Sequence, residues 1–147
     1  MNLDPPPNMR SGPIHLVFDQ FIDVAPMGEL VPKYQFNIAI HDETTVGRIS
    51  FKAGDTFHIL ECAGHIGYEI FPDYRGNHYA YHACEAIRPF VRIMYDRVII
   101  TSNPENTASI KKIKRLNATF LNEITVPVND PAYSSGARKK KRYLWMP

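Results

Sequence analysis

The stretch GHIGYEIFPDYRGNHYAYHACEAI, residues 64–87, joins a β-like segment to a helix through a turn that contains glycine. The apolar segment stops at Pro72, and apolar residues then recur at helical spacing from Tyr79 onward. The first amides of a helix lack acceptors within the helix, and the helix dipole favours negative charge there. Arg75 adds a positive charge, and Gly76 permits close approach of the backbone to a ligand. The turn therefore suits a bound phosphate, although a polar connection without a ligand would contain the same residues.

The composition is that of a single domain. The chain has 147 residues, 44% of them hydrophobic and 22% charged, with a net charge of +2. Its two cysteines cannot form a disulfide framework, so we expect a reducing, cytoplasmic setting. No apolar run reaches the ~18 residues of a membrane span, and residues 1–13, which lack the pattern of a signal peptide, are expected to be an irregular lead-in. One domain over 1–147 and no membrane partner are the predictions.

Hydrophobic periodicity predicts the order of the elements. Strands are expected at 14–24, 97–102, 118–128 and 142–146, with a hairpin at 33–55 and a β-like continuation at 56–71. Helices are expected at 77–94, with a kink at Pro89, and at 103–116, with Asn103 as cap, Pro104 as first residue and Asn117 as left-handed end. This order predicts an α+β or α/β fold with a mixed sheet.

The predicted core is apolar and comes from both helices and from the strands between residues 33 and 128. Its members are Ile38, Ile49, Ile66, Ile70, Ala83, Ile87, Val98, Ile100, Ile113, Leu116 and Val126.

Two blocks of the sequence resemble the GNAT superfamily of acetyl-CoA-dependent N-acetyltransferases. The first block is carried by Gly64, His65, Ile66, Gly67, Tyr68, Ile70, Pro72, Arg75, Gly76, Tyr79 and Ala80. The second block, VIITSNPENTASIKKIKRLNATF at 98–120, is similar to the family's strand and N-x-x-S helix, with Asn106 and Ser109 at the Asn and Ser positions. ITVPV and RYLWM look like the two closing strands. The resemblance covers roughly residues 34–147.

The resemblance implies a mostly antiparallel mixed sheet flanked by helices, with two central parallel strands splayed apart. It also implies transfer of an acetyl group from acetyl-CoA directly to an amine of a small molecule or protein. Amides near Ile70 and Phe71 would pair with pantetheine or polarise the thioester carbonyl. The residues implied for binding the pyrophosphate and the pantetheine arm are Arg75, Gly76, Asn77, His78, Tyr79, Ala80, Asn106 and Ser109.

The sequence departs from the family pattern at three positions and in its length. His78 replaces the central glycine of the turn, Gly64 stands where many members have a general-base glutamate, and Ile113 stands at the common tyrosine. Residues 25–33 replace two N-terminal helices, so the acceptor side would be open or completed by a second subunit, as in a homodimer.

Replacement acids and bases must therefore come from nearby positions. The candidate bases are Glu61, His65 and Glu69, which share one strand face, the wrong one for the site unless Gly64 forms a bulge. Tyr68, on the other face, is the substitute candidate for the missing acid or base.

Other residues allow competing interpretations. A GNAT-fold protein without catalysis, which binds acyl-CoA or a protein partner, is the alternative function. The basic run RKKKR at 138–142 suggests a nucleic-acid patch, but a solvated loop before the last strand is preferred. His15, His41, His58 and His82 lack metal-ligand spacing, so no metal is expected, and neither Cys62 nor Cys84 has a recognisable catalytic partner.

Overall fold

The computed structural model describes residues 4–147 as strands packed against two longer helices. The strands are β1 (Arg10–Ser11), β2 (Ile14–Val24), β3 (Val31–Ala39), β4 (Thr45–Lys52), β5 (Ile66–Ile70), β6 (Val98–Ser102), β7 (Thr119–Thr125) and β8 (Lys139–Trp145). The α-helices are α1 (Tyr79–Met94), α2 (Thr107–Arg115) and α3 (Pro131–Ser134), with a π-helix at His58–Ala63 and a 3₁₀ turn at Pro72–Tyr74.

The first sheet is antiparallel and has the order β1-β2-β3-β4-β5. Alternate residues of β3 and β4 are fully buried beneath α1. Phe90 of α1 packs edge-on against Tyr34, Phe36 and Phe51, with ring centroids 4.8, 6.0 and 5.9 Å apart. This aromatic cluster fixes α1 across the sheet, and thereby fixes the helix N-terminus at the end of β5.

The second sheet is smaller and has the order β6-β8-β7, with β8 in the centre. Tyr143 and Trp145 of β8 are buried and join the main core. Every residue of the predicted core is buried. The predicted α+β class, with a mostly antiparallel sheet flanked by helices, is confirmed.

β5 and β6 belong to different sheets and meet only near their starts. The His65 amide donates to the Ile99 carbonyl at 2.8 Å, and the Ile99 amide donates to Nδ1 of His65 at 2.9 Å. Beyond this junction the strands share no ladder, in agreement with the predicted splaying. Their parallel orientation stays a prediction.

Two predicted boundaries in the middle of the chain are corrected. The segment 56–71 is not a continuous strand, because Ile59 and Cys62 bury one face of the π-helix and the Thr56 hydroxyl accepts the Ile59 amide. Helix α2 begins at Thr107, since the side chain of Asn106, not of Asn103, accepts the Ser109 amide at 3.1 Å. Its predicted left-handed end at Asn117 is confirmed, with φ 62°.

The two chain ends also differ from the prediction. Residues 139–142 of the basic run form half of β8 instead of a loop, because they pair with both neighbouring strands. In the lead-in, Arg10–Ser11 forms β1 and Met9 is buried, while residues 1–3 lie outside the described part. Pro89 lies inside α1 as predicted. Between residues 4 and 147 no helix has the length and apolar character needed to cross a bilayer.

Candidate functional site

A cavity of about 740 Å³ lies where β5 and β6 separate, between the N-terminus of α1 and helix α2. This volume is typical of small-molecule and cofactor sites. All the predicted site residues line it except Glu61, His65, Phe71 and Asn77. The two sequence blocks, 41 residues apart at Tyr68 and Ser109, therefore face one cavity.

The edge of β5 offers unpaired backbone groups to this cavity. The Lys52 amide donates to the His65 carbonyl, and the Phe71 amide donates to the Val46 carbonyl, both at 2.8 Å. In an antiparallel ladder such pairing alternates, so the amides of Ile66, Tyr68 and Ile70 point away from β4 and toward β6. The role predicted for the Phe71 amide is thus corrected, because that group already donates to β4; the role of the Ile70 amide stays a prediction.

The turn before α1 is held in an unusual conformation. Gly76 has φ 90° and His78 has φ 60°, and the Arg75 Nε donates to the Ile70 carbonyl at 3.0 Å. A β-carbon on Gly76 would meet open space, so glycine is needed there for its backbone angle and not for close packing. His78 is exposed and is one of the residues that line the cavity, and histidine in this left-handed conformation costs about 1 kcal/mol. The first amides of α1 remain available to an anion.

The charge of the cavity wall is strongly positive. Its cationic side chains are Arg75, Lys111, Lys112, Arg115 and Lys140, and among the lining residues only Glu69 is acidic. Burial lowers the pKa of Lys112, with a further lowering from Arg75, and burial also lowers the pKa of Lys140. Cations that are already crowded and desolvated favour a polyanion such as a diphosphate. Lys140 shows that the basic run contributes to this wall.

Two hydroxyl groups meet inside the cavity. The Tyr68 and Ser109 oxygens lie 3.0 Å apart, and Nζ of Lys112 is 5.4 Å from the Tyr68 ring centroid. Burial raises the pKa of Tyr68 to about 12, so the phenol stays protonated at neutral pH and can donate a hydrogen bond. Asn106 caps α2 through Oδ1, and its Nδ2 group can donate to a ligand.

The predicted bases are not brought together. His65 is 2% exposed, lies outside the cavity, and uses Nδ1 to accept the Ile99 amide and Nε2 to contact Asp55 at 3.3 Å. Glu61 contacts Nε of Arg142 at 2.7 Å. Glu69 is exposed at the cavity rim, opposite Arg48 of β4. His65 therefore joins the two sheets, and Glu61 is engaged in an ion pair.

Both thiols are unsuited to nucleophilic attack. Burial raises the pKa of Cys62 to about 11 and that of Cys84 to about 12, and both are free cysteines. Among residues 4–147 no three metal-ligating side chains lie close together.

One pair of polar residues was missed by the sequence analysis. Nδ1 of His58 lies 2.8 Å from Oδ2 of Asp130, and both residues are buried although 72 positions separate them. The only local signal in the sequence was Asp130 followed by Pro131, a pair that is common at the start of a helix. In the structure Oδ1 of Asp130 does accept the Ala132 amide and caps α3. Sequence spacing alone gives no reason to join it to His58.

Comparisons with known proteins identify one family. Residues 18–119, more than half of the chain, match the model of the Acetyltransferase (GNAT) domain. No curated protein matches the sequence.

Solved structures show the same fold at low identity. RimL, the ribosomal L7/L12 alpha-N-protein acetyltransferase in complex with coenzyme A, is 17% identical with TM-score 0.60, covering 78% of this chain and 62% of its own. A GNAT-family acetyltransferase from Bacillus anthracis is 21% identical with TM-score 0.58, covering 76% of this chain and 65% of its own. The microcin C7 self immunity acetyltransferase MccE, in complex with acetyl-CoA and AMP, is 15% identical with TM-score 0.58, covering 78% and 61%. The chain therefore spans less than two thirds of the length of these structures.

Proposed function

The chain belongs to the GNAT acetyltransferase family, and on that premise we propose that it transfers an acetyl group from acetyl-CoA to an amine. The observation that carries this proposal is the positive cavity between β5 and β6, with the unpaired edge of β5 along one side and the N-terminus of α1 at its end. A thioester with a diphosphate tail matches those two kinds of donor.

The residues of the cavity fit this co-substrate. The turn from Arg75 to Ala80 and the nearby cations would hold the diphosphate, while the amides of Ile66, Tyr68 and Ile70 would pair with the pantetheine amides and the acyl carbonyl. Acetyl-CoA supplies an activated acyl group that a neutral amine attacks directly. The Tyr68–Ser109 hydroxyl pair is placed to donate a hydrogen bond to the sulfur that leaves.

The finer parts of the proposal concern setting and assembly. Two free, buried cysteines suit a reducing compartment, and we place the reaction in the cytoplasm. The turn between β2 and β3 leaves the acceptor side without the covering helices of the family, so a second subunit there stays a prediction. Nucleic acid is a poor candidate partner, because Lys140 lines the cavity and Arg142 pairs with Glu61.

Calorimetry with acetyl-CoA and with coenzyme A is the direct test of the co-substrate, and release of free thiol in the presence of amines tests turnover. Binding of both compounds with amine-dependent thiol release supports the proposal. Binding without thiol release from any amine would favour the alternative, a GNAT-fold protein that binds acyl-CoA without catalysis. Absence of binding to either compound would end the co-substrate assignment.

Lys112 should contribute to binding of the anionic tail. Replacing Lys112 with methionine keeps the length of the side chain but removes its charge from the cavity wall. We expect the Kd for coenzyme A to rise about tenfold, since one charge-assisted contact contributes about 1.5 kcal/mol. Lys114→Met is the matched control, because Lys114 is exposed on the same helix and does not line the cavity. Equal affinity in the two variants would remove Lys112 from the site.

The Tyr68 hydroxyl should matter for turnover more than for binding. Tyr68→Phe removes the partner of the Ser109 hydroxyl, and we expect kcat to fall about tenfold while the KM for acetyl-CoA changes little. Tyr81→Phe on α1, outside the cavity lining, is the control. An unchanged kcat in Tyr68→Phe would leave Tyr68 as a packing residue of β5.

A further inference from the structure

A second depression, of about 490 Å³, lies beside the turn that replaces the family's N-terminal helices. It is lined by Val24, Ala25, Pro26, Lys33, Lys52 and His58. A β-carbon built on Gly67 would lie 3.5 Å from Nζ of Lys52, and Gly67 also lines the main cavity. Lys52 therefore reaches from this depression to the middle of β5, where the two sheets separate.

His58 is buried and is one of the residues that line this depression. Its Nδ1 contacts Asp130, which is 1% exposed and also caps α3. Burial opposes ionisation of Asp130, but hydrogen bonds from His58 and Ala132 outweigh it and lower the Asp130 pKa, so the carboxylate is charged. A carboxylate accepts the Nδ1 proton and leaves the lone pair of neutral imidazole on Nε2. Within residues 4–147 Nε2 forms no hydrogen bond.

The depression also holds two cations without counter-ions. Neither Lys33 nor Lys52 forms an ion pair in the described part of the chain. Burial, with a smaller effect of Lys33, lowers the pKa of Lys52 to about 8. An anion between these side chains would offset their repulsion and the loss of hydration.

We propose that this depression is the acceptor site, that it takes a primary amine carrying a carboxylate, and that His58, oriented by Asp130, removes the amine proton. The proposal rests on the acetyltransferase function proposed above. Lys33 and Lys52 bind the carboxylate, and Nε2 of His58 faces the amine. This arrangement supplies the base that Gly64 cannot supply.

The step balances as a group transfer. The amine lone pair forms the new C–N bond to the acetyl carbon, and the C–S bond breaks with its electron pair left on sulfur. The proton lost by the amine passes to Nε2 of His58, and sulfur is protonated from solvent through the Tyr68–Ser109 hydroxyls. His58 then returns its proton to solvent.

The charged and titratable groups near His58 come from four parts of the chain. They are Asp130 before α3, Lys52 of β4 and Lys33 of β3, with the Cys62 thiol of the π-helix beside Asp130.

Binding is tested on the protein alone, before any turnover. In NMR titrations, β-alanine should shift the His58 ring signals, whereas β-alaninamide, which lacks the carboxylate, should bind at least about tenfold more weakly. Lys52→Met and Lys33→Met should each abolish the preference for the carboxylate-bearing amine. Lys139→Met should not, because Lys139 is an exposed residue of β8 that does not line the depression. The peptides glycylglycine and glycylglycinamide distinguish a peptide acceptor from a small amine. No shift with any carboxylate-bearing amine would overturn the acceptor assignment.

The dyad is tested by two substitutions. His58→Gln should lower kcat about 100-fold without changing the Kd for coenzyme A, as expected for loss of a general base. His15→Gln, which breaks the surface pair with Glu43, is the control. Asp130→Asn keeps a helix-capping side chain but donates to Nδ1, so the proton moves to Nε2, and the ring-nitrogen NMR signals of His58 should report the exchanged tautomer.

These outcomes separate the two proposals. The His58→Gln variant could still bind coenzyme A and release thiol at the wild-type rate. That result would overturn the role of His58 and leave the acetyltransferase function in place. An unchanged tautomer in Asp130→Asn would overturn the orienting role of Asp130.

Discussion

Replacing Gly64 with glutamate is expected to destabilise the fold and not to restore a catalytic base. Gly64 has φ 74° and ψ 165°, a backbone conformation that is essentially restricted to glycine. A β-carbon there would lie 2.9 Å from the Ile99 carbonyl oxygen and 3.2 Å from the Thr101 amide nitrogen. The neighbours are backbone atoms of β6, so they cannot move aside without separating the two sheets.

The expected loss of unfolding free energy is about 3 kcal/mol or more, from backbone strain and overpacking together. Thermal denaturation should show a Tm lower by about 10 °C. Gly67→Ala is the matched control on β5, because its β-carbon would meet only the side-chain ends of Ser50 and Lys52. A Gly64→Glu protein with wild-type stability and higher activity would contradict the structure. It would also support position 64 as the site of a general base, as in many members of the family.

Replacing His65 with leucine should cost about 2–3 kcal/mol of unfolding free energy. The Ile99 amide is buried and donates to Nδ1 of His65, and leucine would leave it without an acceptor. His65→Asn keeps an oxygen at the position of Nδ1 and should recover most of that loss. Chemical denaturation of the three proteins measures the difference. Catalysis provides a second readout, since His65→Asn should retain kcat, whereas it would abolish activity if His65 were the base.

The same residue predicts how stability changes with pH. Burial lowers the pKa of His65 below its ordinary 6.5, against the opposing effect of Asp55. The unfolded chain therefore binds the proton first as pH falls, so unfolding free energy should decrease as pH drops below about 6.5. Burial also lowers the pKa of His82, so His82 contributes to the pH dependence with the same sign. The contribution of His65 is therefore the difference in pH dependence of the unfolding free energy between wild type and His65→Asn. Equal pH dependence in these two proteins would exclude His65 as its source.

The two depressions are lined by different strands of the first sheet. The larger cavity, which we propose takes the co-substrate, is lined by β5 and by cations of the turn before α1, of α2 and of β8. In the smaller depression Lys33 and Lys52 lie on β3 and β4, and His58 lies on the π-helix. A β-carbon on Gly67 of β5 would lie 3.5 Å from Nζ of Lys52, so Lys52 connects the proposed acceptor site to β5, as direct transfer without an acyl-enzyme requires.

Local patterns in the sequence determined most elements of this fold. Three of these patterns are local, since each depends on residues only a few positions apart in the chain. They are the apolar alternation of β3 and β4, the helical spacing of α1 and the left-handed conformation of Asn117. The turn from Arg75 to Ala80 was recognisable for the same reason. His78, which stands in that turn where the family pattern has glycine, has φ 60°, a left-handed conformation that is uncommon for residues other than glycine.

The tertiary structure alone decided which polar groups were free and which were engaged. Pairing with β4 removed the Phe71 amide from the site, the junction with β6 engaged His65, and Arg142, 81 positions from Glu61, occupied a candidate base. The His58–Asp130 pair likewise exists only because the π-helix packs near α3. Strand pairing and burial join residues far apart in the chain, and no local periodicity encodes such contacts. The sequence could therefore locate the turn that we propose binds the co-substrate, whereas the proposed acceptor side became visible only in three dimensions.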